Sequence, residues 1–121
     1  MKNNGVKAKS YTFALRIIQM YKHLSQEKRE FVLSKQVLRS GTSIGANVEE
    51  ADAAISNAEF SSKISIAYKG ARETCYWLRL LFDSNYIDKR SFDSIFNDGQ
   101  EICKLLFTIL KSSGRIKTKS T

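Results

Sequence analysis

The fold of this chain is decided by residues 31–51, FVLSKQVLRSGTSIGANVEEA. Apolar or small residues recur there at steps of three and four, the period of one helix packed along one face. They are Phe31, Ser34, Val37, Gly41, Ile44, Val48 and Ala51, and Ile55 continues the series. Glycine inside a helix costs about 1 kcal/mol relative to alanine. Gly41 and Gly45 therefore predict a site where a neighbouring helix approaches the backbone closely.

The same period predicts a helix before this stretch and another after it. We expect the first from about Ser10 to Leu24, with Ser25 capping the second, which runs from about Glu27 to Ile55. Ser56 and Glu59 have the spacing of a capping box, in which each side chain satisfies an unpaired backbone donor. The third helix should therefore begin there.

A fourth helix follows a turn at residues 85–88, with Asp88 as its N-cap and Gly114 as its stop. The chain has no proline and six glycines among 121 residues, and its turns are short, which favours an up-down-up-down arrangement. We predict an all-α, antiparallel up-down-up-down four-helix bundle forming a single domain over 1–121, with an ordered core over about 8–114 between basic tails. The expected core positions of the last two helices are Phe60, Ile64, Ala67, Ala71, Thr74 or Cys75, Leu78, Leu81 or Phe82, Phe92, Ile95 or Phe96, Gly99, Cys103, Leu106 and Leu110.

Positive charge is concentrated at both ends of the chain. The formal net charge is +8 and the isoelectric point is near 9.6, which favours anionic partners. The C-terminal tail contains Lys111, Arg115, Lys117 and Lys119 and no acid. In the predicted topology both basic ends lie beside an acidic cluster formed by Glu49, Glu50, Asp52 and Glu59. Two interpretations stay open: local neutralisation with solvated tails, or a basic surface that contacts nucleic acid.

The third helix carries a second basic feature. Lys69, Arg72, Tyr76 and Arg79 are spaced by three, four and three residues, which places them on one side of the helix. Cations interleaved with an aromatic ring suit phosphates and stacked bases. A solvated charged face, whose aliphatic stems cover apolar surface, would produce the same pattern.

Some apolar residues lie away from the expected core and indicate self-association. On the first helix they are Tyr11, Leu15 and Ile18, and on the third helix Trp77 and Leu80 lie near Glu73. Scattered surface residues or a broad core face are the alternatives. The second helix adds a polar stripe that is either solvated or part of an interface between protomers. Its members in the predicted interface are Arg39, Ser43, Asn47 and Glu50.

The sequence contains none of the motifs that we looked for as signs of catalysis, cofactor binding or metal binding. His23 is the one histidine and no Glu-x-x-His pair exists, so the di-iron site of ferritin-like bundles is absent. The segment from Gly41 to Gly45 lacks the lysine of a phosphate-binding loop. Cys75 and Cys103 are most simply reduced core residues, and a disulfide or a metal role is the less favoured alternative. We predict a non-catalytic protein without cofactor or metal.

The hydropathy of the sequence predicts the cellular location of the protein. No apolar run approaches the roughly 20 residues of a membrane span, and the N-terminus leads into no signal-type apolar segment. We therefore expect a cytoplasmic protein with no membrane partner.

Residues 11–82 carry a family resemblance. Residues 31–51, together with AEFSSKISIAYK at 58–69 and ARETCYWL at 71–78, resemble the bacterial four-helix-bundle proteins encoded in intervening sequences of 23S rRNA genes, often labelled S23 ribosomal proteins. That family is similar to the accessory variability determinants of diversity-generating retroelements. Those proteins form barrel-shaped homopentamers that bind nucleic acid and a reverse transcriptase. One departure is Gly70, where relatives commonly have a glutamate that could pair across an interface between protomers.

The resemblance implies a homo-oligomer, by analogy a pentamer, whose partners include rRNA, other RNA or DNA and, more distantly, a reverse transcriptase. Combined with the charge, it predicts a non-catalytic helical scaffold that associates with nucleic acid through basic surfaces. The alternative is an oligomeric adaptor that binds another protein and has no direct role with nucleic acid.

Overall fold

The computed structural model describes residues 5–113. In this range the chain forms α1 (Val6–Gln26), α2 (Leu33–Asp52), α3 (Asn57–Asp83) and α4 (Lys89–Ser112). Each helix packs on the next, and α4 closes the ring against α1 in the sparsest of the four contacts. The protein is an all-α, up-down-up-down four-helix bundle, as predicted. The expected stop at Gly114 and the tail cations Arg115, Lys117 and Lys119 lie outside the described residues.

One continuous apolar core occupies the centre of the bundle. The predicted core residues of α3 and α4 are buried or half-buried, and Ile102 joins them. Three stacked aromatic rings lie at one end of the core. The ring centroids of Phe82 and Phe92 are 4.5 Å apart, and those of Phe92 and Phe96 are 4.8 Å apart. Because large apolar side chains fill the space between all four helices, the bundle needs no cross-link.

The closest approach of α1 and α2 occurs at two glycines. A Cβ atom at Gly41 would lie 2.8 Å from Cγ1 of Ile17, and one at Gly45 would lie 3.4 Å from the carbonyl oxygen of Ser10. The first distance is too short for any side chain. The β-branched Ile17 therefore occupies the space that a residue larger than glycine would need.

The predicted start of the second helix is wrong. Helix α2 begins at Leu33 rather than Glu27, because Arg29 adopts a left-handed conformation with φ of 55° and interrupts the helical path. The Glu30 carboxylate accepts hydrogen bonds from the backbone N–H groups of residues 32, 33 and 34 at 3.1, 3.0 and 2.7 Å. Ser25 does not cap α2, since its hydroxyl donates to the Tyr21 carbonyl within α1 at 2.8 Å. Phe31, expected in the core, is exposed beneath the Arg29 guanidinium.

The predicted end of the second helix is also too late, whereas the last two helix starts are confirmed. Helix α2 ends at Asp52, and Ile55 is 92% exposed rather than buried. Ser56 Oγ accepts from the Glu59 N–H at 3.1 Å at the start of α3. Asp88 Oδ1 accepts from the Ser91 N–H at 2.7 Å at the start of α4.

The basic start of α1 lies against the acidic end of α2. The Lys7 ammonium is 2.7 Å from the Asp52 carboxylate and 3.6 Å from that of Glu49. The hydrogen bond raises the pKa of Lys7 and lowers the pKa of Asp52. Local neutralisation therefore accounts for this part of the charge pattern.

Candidate nucleic-acid interface

The four residues of the predicted basic stripe lie on the outer side of α3. Lys69, Arg72, Tyr76 and Arg79 are all exposed. Arg72 donates to the hydroxyl oxygen of Tyr68 at 3.2 Å, a contact that raises the pKa of the guanidinium. Within residues 5–113, neither Lys69 nor Arg79 forms an ion pair. These charges are therefore not used to hold the described bundle together.

A groove of about 510 Å³ runs between α3 and α4 beside this stripe. Arg72, Tyr76 and Arg79 line its α3 wall, and Phe96 and Gln100 line its α4 wall. The groove thus combines two guanidinium groups with aromatic rings and an amide. Such a combination can pair with phosphate oxygens, stack on a base and hydrogen-bond its edge.

Helix α4 extends the positive surface. Gln100, Lys104, Phe107 and Lys111 follow one another at steps of four, three and four, which aligns them on one side of the helix. The Phe107 ring lies 5.9 Å from that of Tyr68, so this side faces α3.

Together the exposed residues of the two helices form a surface that we name the basic face. It consists of Lys69, Arg72, Tyr76, Arg79, Lys104 and Lys111. The sequence reasoning missed Lys104, although its position seven residues before Lys111 was a signal for a shared face.

One carboxylate lines the groove, and it is already engaged. Glu73 accepts hydrogen bonds from the Arg39 guanidinium on α2 and from Trp77 Nε1, the latter at 2.8 Å. Its carboxylate is therefore paired with Arg39, and Arg72 and Arg79 are the positively charged residues that line the groove.

The structure exposes some of the residues predicted for an interface between protomers and partly buries others. Tyr11 is 65% exposed and Leu15 is 49% exposed, whereas Ile18 is half-buried. Trp77 and Leu80 are half-buried, and Trp77 packs against the core. The sequence reasoning missed Ile66 on α3, which is 47% exposed and lies on the same helix side as Glu73 and Trp77.

The polar stripe of α2 has hydrogen-bond partners within the chain. Asn47 Nδ2 donates to the Ser43 carbonyl at 2.8 Å, and Lys63 lies 2.7 Å from the Glu50 carboxylate. Gly70 packs here too, because a Cβ atom on it would lie 3.0 Å from Ser43 Oγ. Glu50, Ser43 and Gly70 therefore lie in the contact between α2 and α3, whereas the Asn47 hydrogen bond lies within α2.

A larger cleft, of about 780 Å³, lies where the end of α1 meets the turn between α3 and α4. Three of its lining residues have structural partners: Arg16 pairs with Asp98, His23 contacts Glu27, and Asp88 caps α4. The cleft follows from the sparse contact between α1 and α4, and we assign no ligand to it.

Within 5–113, no group of three or more histidine, cysteine, aspartate or glutamate side chains is arranged to hold a metal ion. None of the four described helices is long and apolar enough to cross a membrane.

Comparison with known proteins places the chain among relatives. The family described as "23S rRNA-intervening sequence protein" matches residues 2–108. A similar solved structure is a crystal structure of a protein with unknown function from the S23 ribosomal protein family of Bacteroides thetaiotaomicron VPI-5482. It is 56% identical, the match covers 92% of this chain and 99% of that chain, and the TM-score is 0.89. No curated protein matches the chain.

Proposed function

The chain belongs to the 23S rRNA-intervening sequence protein family, and from this premise we propose that it is a non-catalytic, homo-oligomeric scaffold that binds RNA or DNA through the basic face. The observation that carries the proposal is the groove between α3 and α4. Arg72 and Arg79 flank Tyr76 along its wall, and the bundle does not require their charges.

The contacts proposed for each side chain follow from its chemistry. Arg72 and Arg79 are the groups that pair with phosphate oxygens, since a guanidinium can donate two parallel hydrogen bonds. Tyr76 is 47% exposed and offers a ring on which an unpaired base can stack. Lys69, Lys104 and Lys111 add charge without directional contacts. Binding of this type is strong at low salt and carries little sequence preference.

Self-association is the second part of the proposal. Tyr11 and Leu15 present a largely exposed apolar surface on α1, and Ile66 presents another on α3. Covering such surfaces with a second copy of the chain removes apolar area from water. A ring, by resemblance a pentamer, would repeat the basic face and raise avidity without any new contact.

The test is a salt series of binding to structured RNA and to duplex DNA, measured by fluorescence anisotropy. The wild-type affinity should fall steeply between low and physiological salt, because each neutralised phosphate releases a counterion. The double variant Arg72→Glu/Arg79→Glu should lose most binding and show a shallower salt dependence. Lys22→Glu/Lys35→Glu is the matched control, since both lysines are exposed on α1 and α2, outside the basic face.

Two results would contradict the proposal. Equal losses in the two double variants would show that net charge, and not the basic face, governs binding. Absence of binding at low salt would reject the nucleic-acid role and favour the protein adaptor, for which the exposed Tyr11 and Leu15 are the supporting observation.

A further inference from the structure

The two cysteines of the chain lie together in the groove between α3 and α4. Cys75 comes from α3 and Cys103 from α4, and both line this groove. Each residue is 6% exposed, so both thiols belong to the groove floor rather than to the fully sealed core. Both are free thiols in the structure.

Gly99 brings the Cys75 thiol close to the backbone of α4. A Cβ atom at Gly99 would lie only 3.0 Å from Cys75 Sγ. Gly99 and Cys103 are four residues apart and therefore lie on the same side of α4, one turn from each other. The Cys75 sulfur thus reaches across the helix contact to the turn that precedes Cys103.

The surroundings of the two thiols differentiate their acidity. The neighbouring Cys75 thiol lowers the pKa of Cys103 against the opposing effect of burial, and the charge of Arg72 adds to the lowering. The neighbouring Cys103 thiol and burial raise the pKa of Cys75. Since the thiolate is the reactive form of cysteine, this direction puts Cys103 first in the order of reaction that the serine variants below test.

We propose that Cys75 and Cys103 form a redox modification site, in which a hydroperoxide converts the two thiols into an intramolecular disulfide that joins α3 to α4 across the groove floor. The inference rests on the shared groove and on the close approach at Gly99. It does not depend on nucleic-acid binding.

The reaction balances in two steps with hydrogen peroxide as the oxidant. The Cys103 thiolate attacks one peroxide oxygen, the O–O bond breaks, and a sulfenic acid and a water form after protonation of the leaving hydroxide. The Cys75 sulfur then loses its proton and attacks the sulfenic sulfur, the S–O bond breaks, and a second water leaves. The thiols lose two electrons and two protons in total, and the peroxide is reduced to two waters.

The test uses the folded full-length chain, treated with hydrogen peroxide, quenched, denatured and alkylated before intact-mass measurement. The wild-type protein should lose the mass of two hydrogen atoms, accept no alkyl group and remain a covalent monomer. Peptide mapping should give a Cys75–Cys103 linked pair. Reduction with dithiothreitol should restore two alkylatable thiols.

Single serine variants test the assigned order of steps. In Cys75→Ser, the Cys103 sulfenic acid has no thiol to react with, so it should persist and be trapped by dimedone. In Cys103→Ser, Cys75 should oxidise more slowly and remain alkylatable. Circular dichroism checks that both variants are folded, and the wild-type mass measurement stands without them if they are not.

Several outcomes would overturn the proposal. These are covalent dimers as the main wild-type product, addition of oxygen to the wild type without the loss of two hydrogens, or persistence of both thiols under peroxide. A disulfide that forms equally fast in the urea-unfolded chain would also overturn it, since the folded groove would then play no part.

Discussion

Helices α1 and α2 approach each other closely at glycines, whereas a groove open to solvent separates the outer sides of α3 and α4. At Gly41 the helices are so close that a Cβ atom would lie 2.8 Å from the Ile17 side chain. Across the bundle, the floor of the α3–α4 groove holds two thiols, and its rim carries the guanidinium groups of Arg72 and Arg79.

The difference separates residues that the fold requires from residues that it does not. In the α1–α2 contact, each unusual residue has a packing reason, because Ile17 fills the space above Gly41 and Ser10 lies against Gly45. In the groove, packing accounts for Gly99 beneath Cys75 but not for Arg79, which has no ion pair among the described residues. Side chains of the second kind are the ones to consider for binding.

The largest expected effect comes from filling the α1–α2 contact. Gly41→Leu should lower the free energy of unfolding by about 3 kcal/mol or more, because even the first side-chain atom overlaps with the stiff, β-branched Ile17. Urea unfolding followed by circular dichroism measures the loss. Ala46→Leu is the control, since Ala46 is exposed on the same helix and its substitution should stay within about 0.5 kcal/mol. Equal stability of Gly41→Leu and wild type would show that the helices can separate at no cost.

The next effect concerns the turn that leads into this contact. Glu30→Gln should cost about 1–2 kcal/mol near neutral pH, because the charged acceptor of three backbone N–H groups is replaced by a neutral amide. Burial raises the pKa of Glu30, but the backbone donors of Leu33, Ser34 and Val32 together outweigh it, so the pKa is lowered.

The lowered pKa fixes the sign of the pH dependence. The contribution of Glu30 is complete above the ordinary glutamate pKa and is lost as the pH falls through the lower folded-state value. Urea unfolding of wild type and Glu30→Gln should therefore differ near neutral pH and converge in acid. A constant difference at all pH values would show that the charge of Glu30 is not what stabilises the turn.

The same turn shows where sequence reasoning reached its limit. The period of three and four located the core residues of α2 and the approach at Gly41, because burial of an apolar stripe leaves a direct record in the sequence. The period did not locate the start of α2 at Leu33, since residues 27–30 are good helix formers. The helix is interrupted there by the backbone turn at Arg29 and by the Glu30 carboxylate, which caps the first turn of α2. Ile55 continued the period and was wrongly assigned to the core, because the period alone does not show that α2 ends at Asp52.

The candidate site was predictable in part. Charge spacing on α3 found Arg72 and Arg79, because a single helix fixes which of its residues share a face. The sequence did not reveal that Cys75 and Cys103 line one groove, since that depends on the register between two helices. Trp77 was read as a residue away from the core, yet its long side chain reaches back to pack on it.

A smaller effect is expected where a glycine faces the groove. Gly99→Ala places a methyl group 3.0 Å from Cys75 Sγ, but it also removes the helix penalty of glycine, about 1 kcal/mol. We expect a net loss below about 1 kcal/mol, because a single thiol can shift where a branched side chain cannot.

A double-mutant cycle with Cys75→Ala measures the contact itself. Without the sulfur, Gly99→Ala should become stabilising, since only the gain in helix propensity remains. Identical effects of Gly99→Ala in the two backgrounds would show that Cys75 does not lie against this turn of α4.

The smallest effect on stability is expected at the rim of the α3–α4 groove. This prediction tests whether the groove, unlike the α1–α2 contact, serves binding. Arg72→Gln/Arg79→Gln should change the free energy of unfolding by less than about 0.5 kcal/mol, because both residues are exposed and solvent screens their charges. The same variant should weaken RNA binding and lower the salt slope by about one for each phosphate contact removed. Unfolding and binding are measured on the same preparation. If the variant unfolded as readily as Gly41→Leu, the guanidinium groups would be structural and the groove would differ from the α1–α2 contact only in shape. If stability is kept and binding is lost, the charges at the rim are present for a ligand and not for the fold.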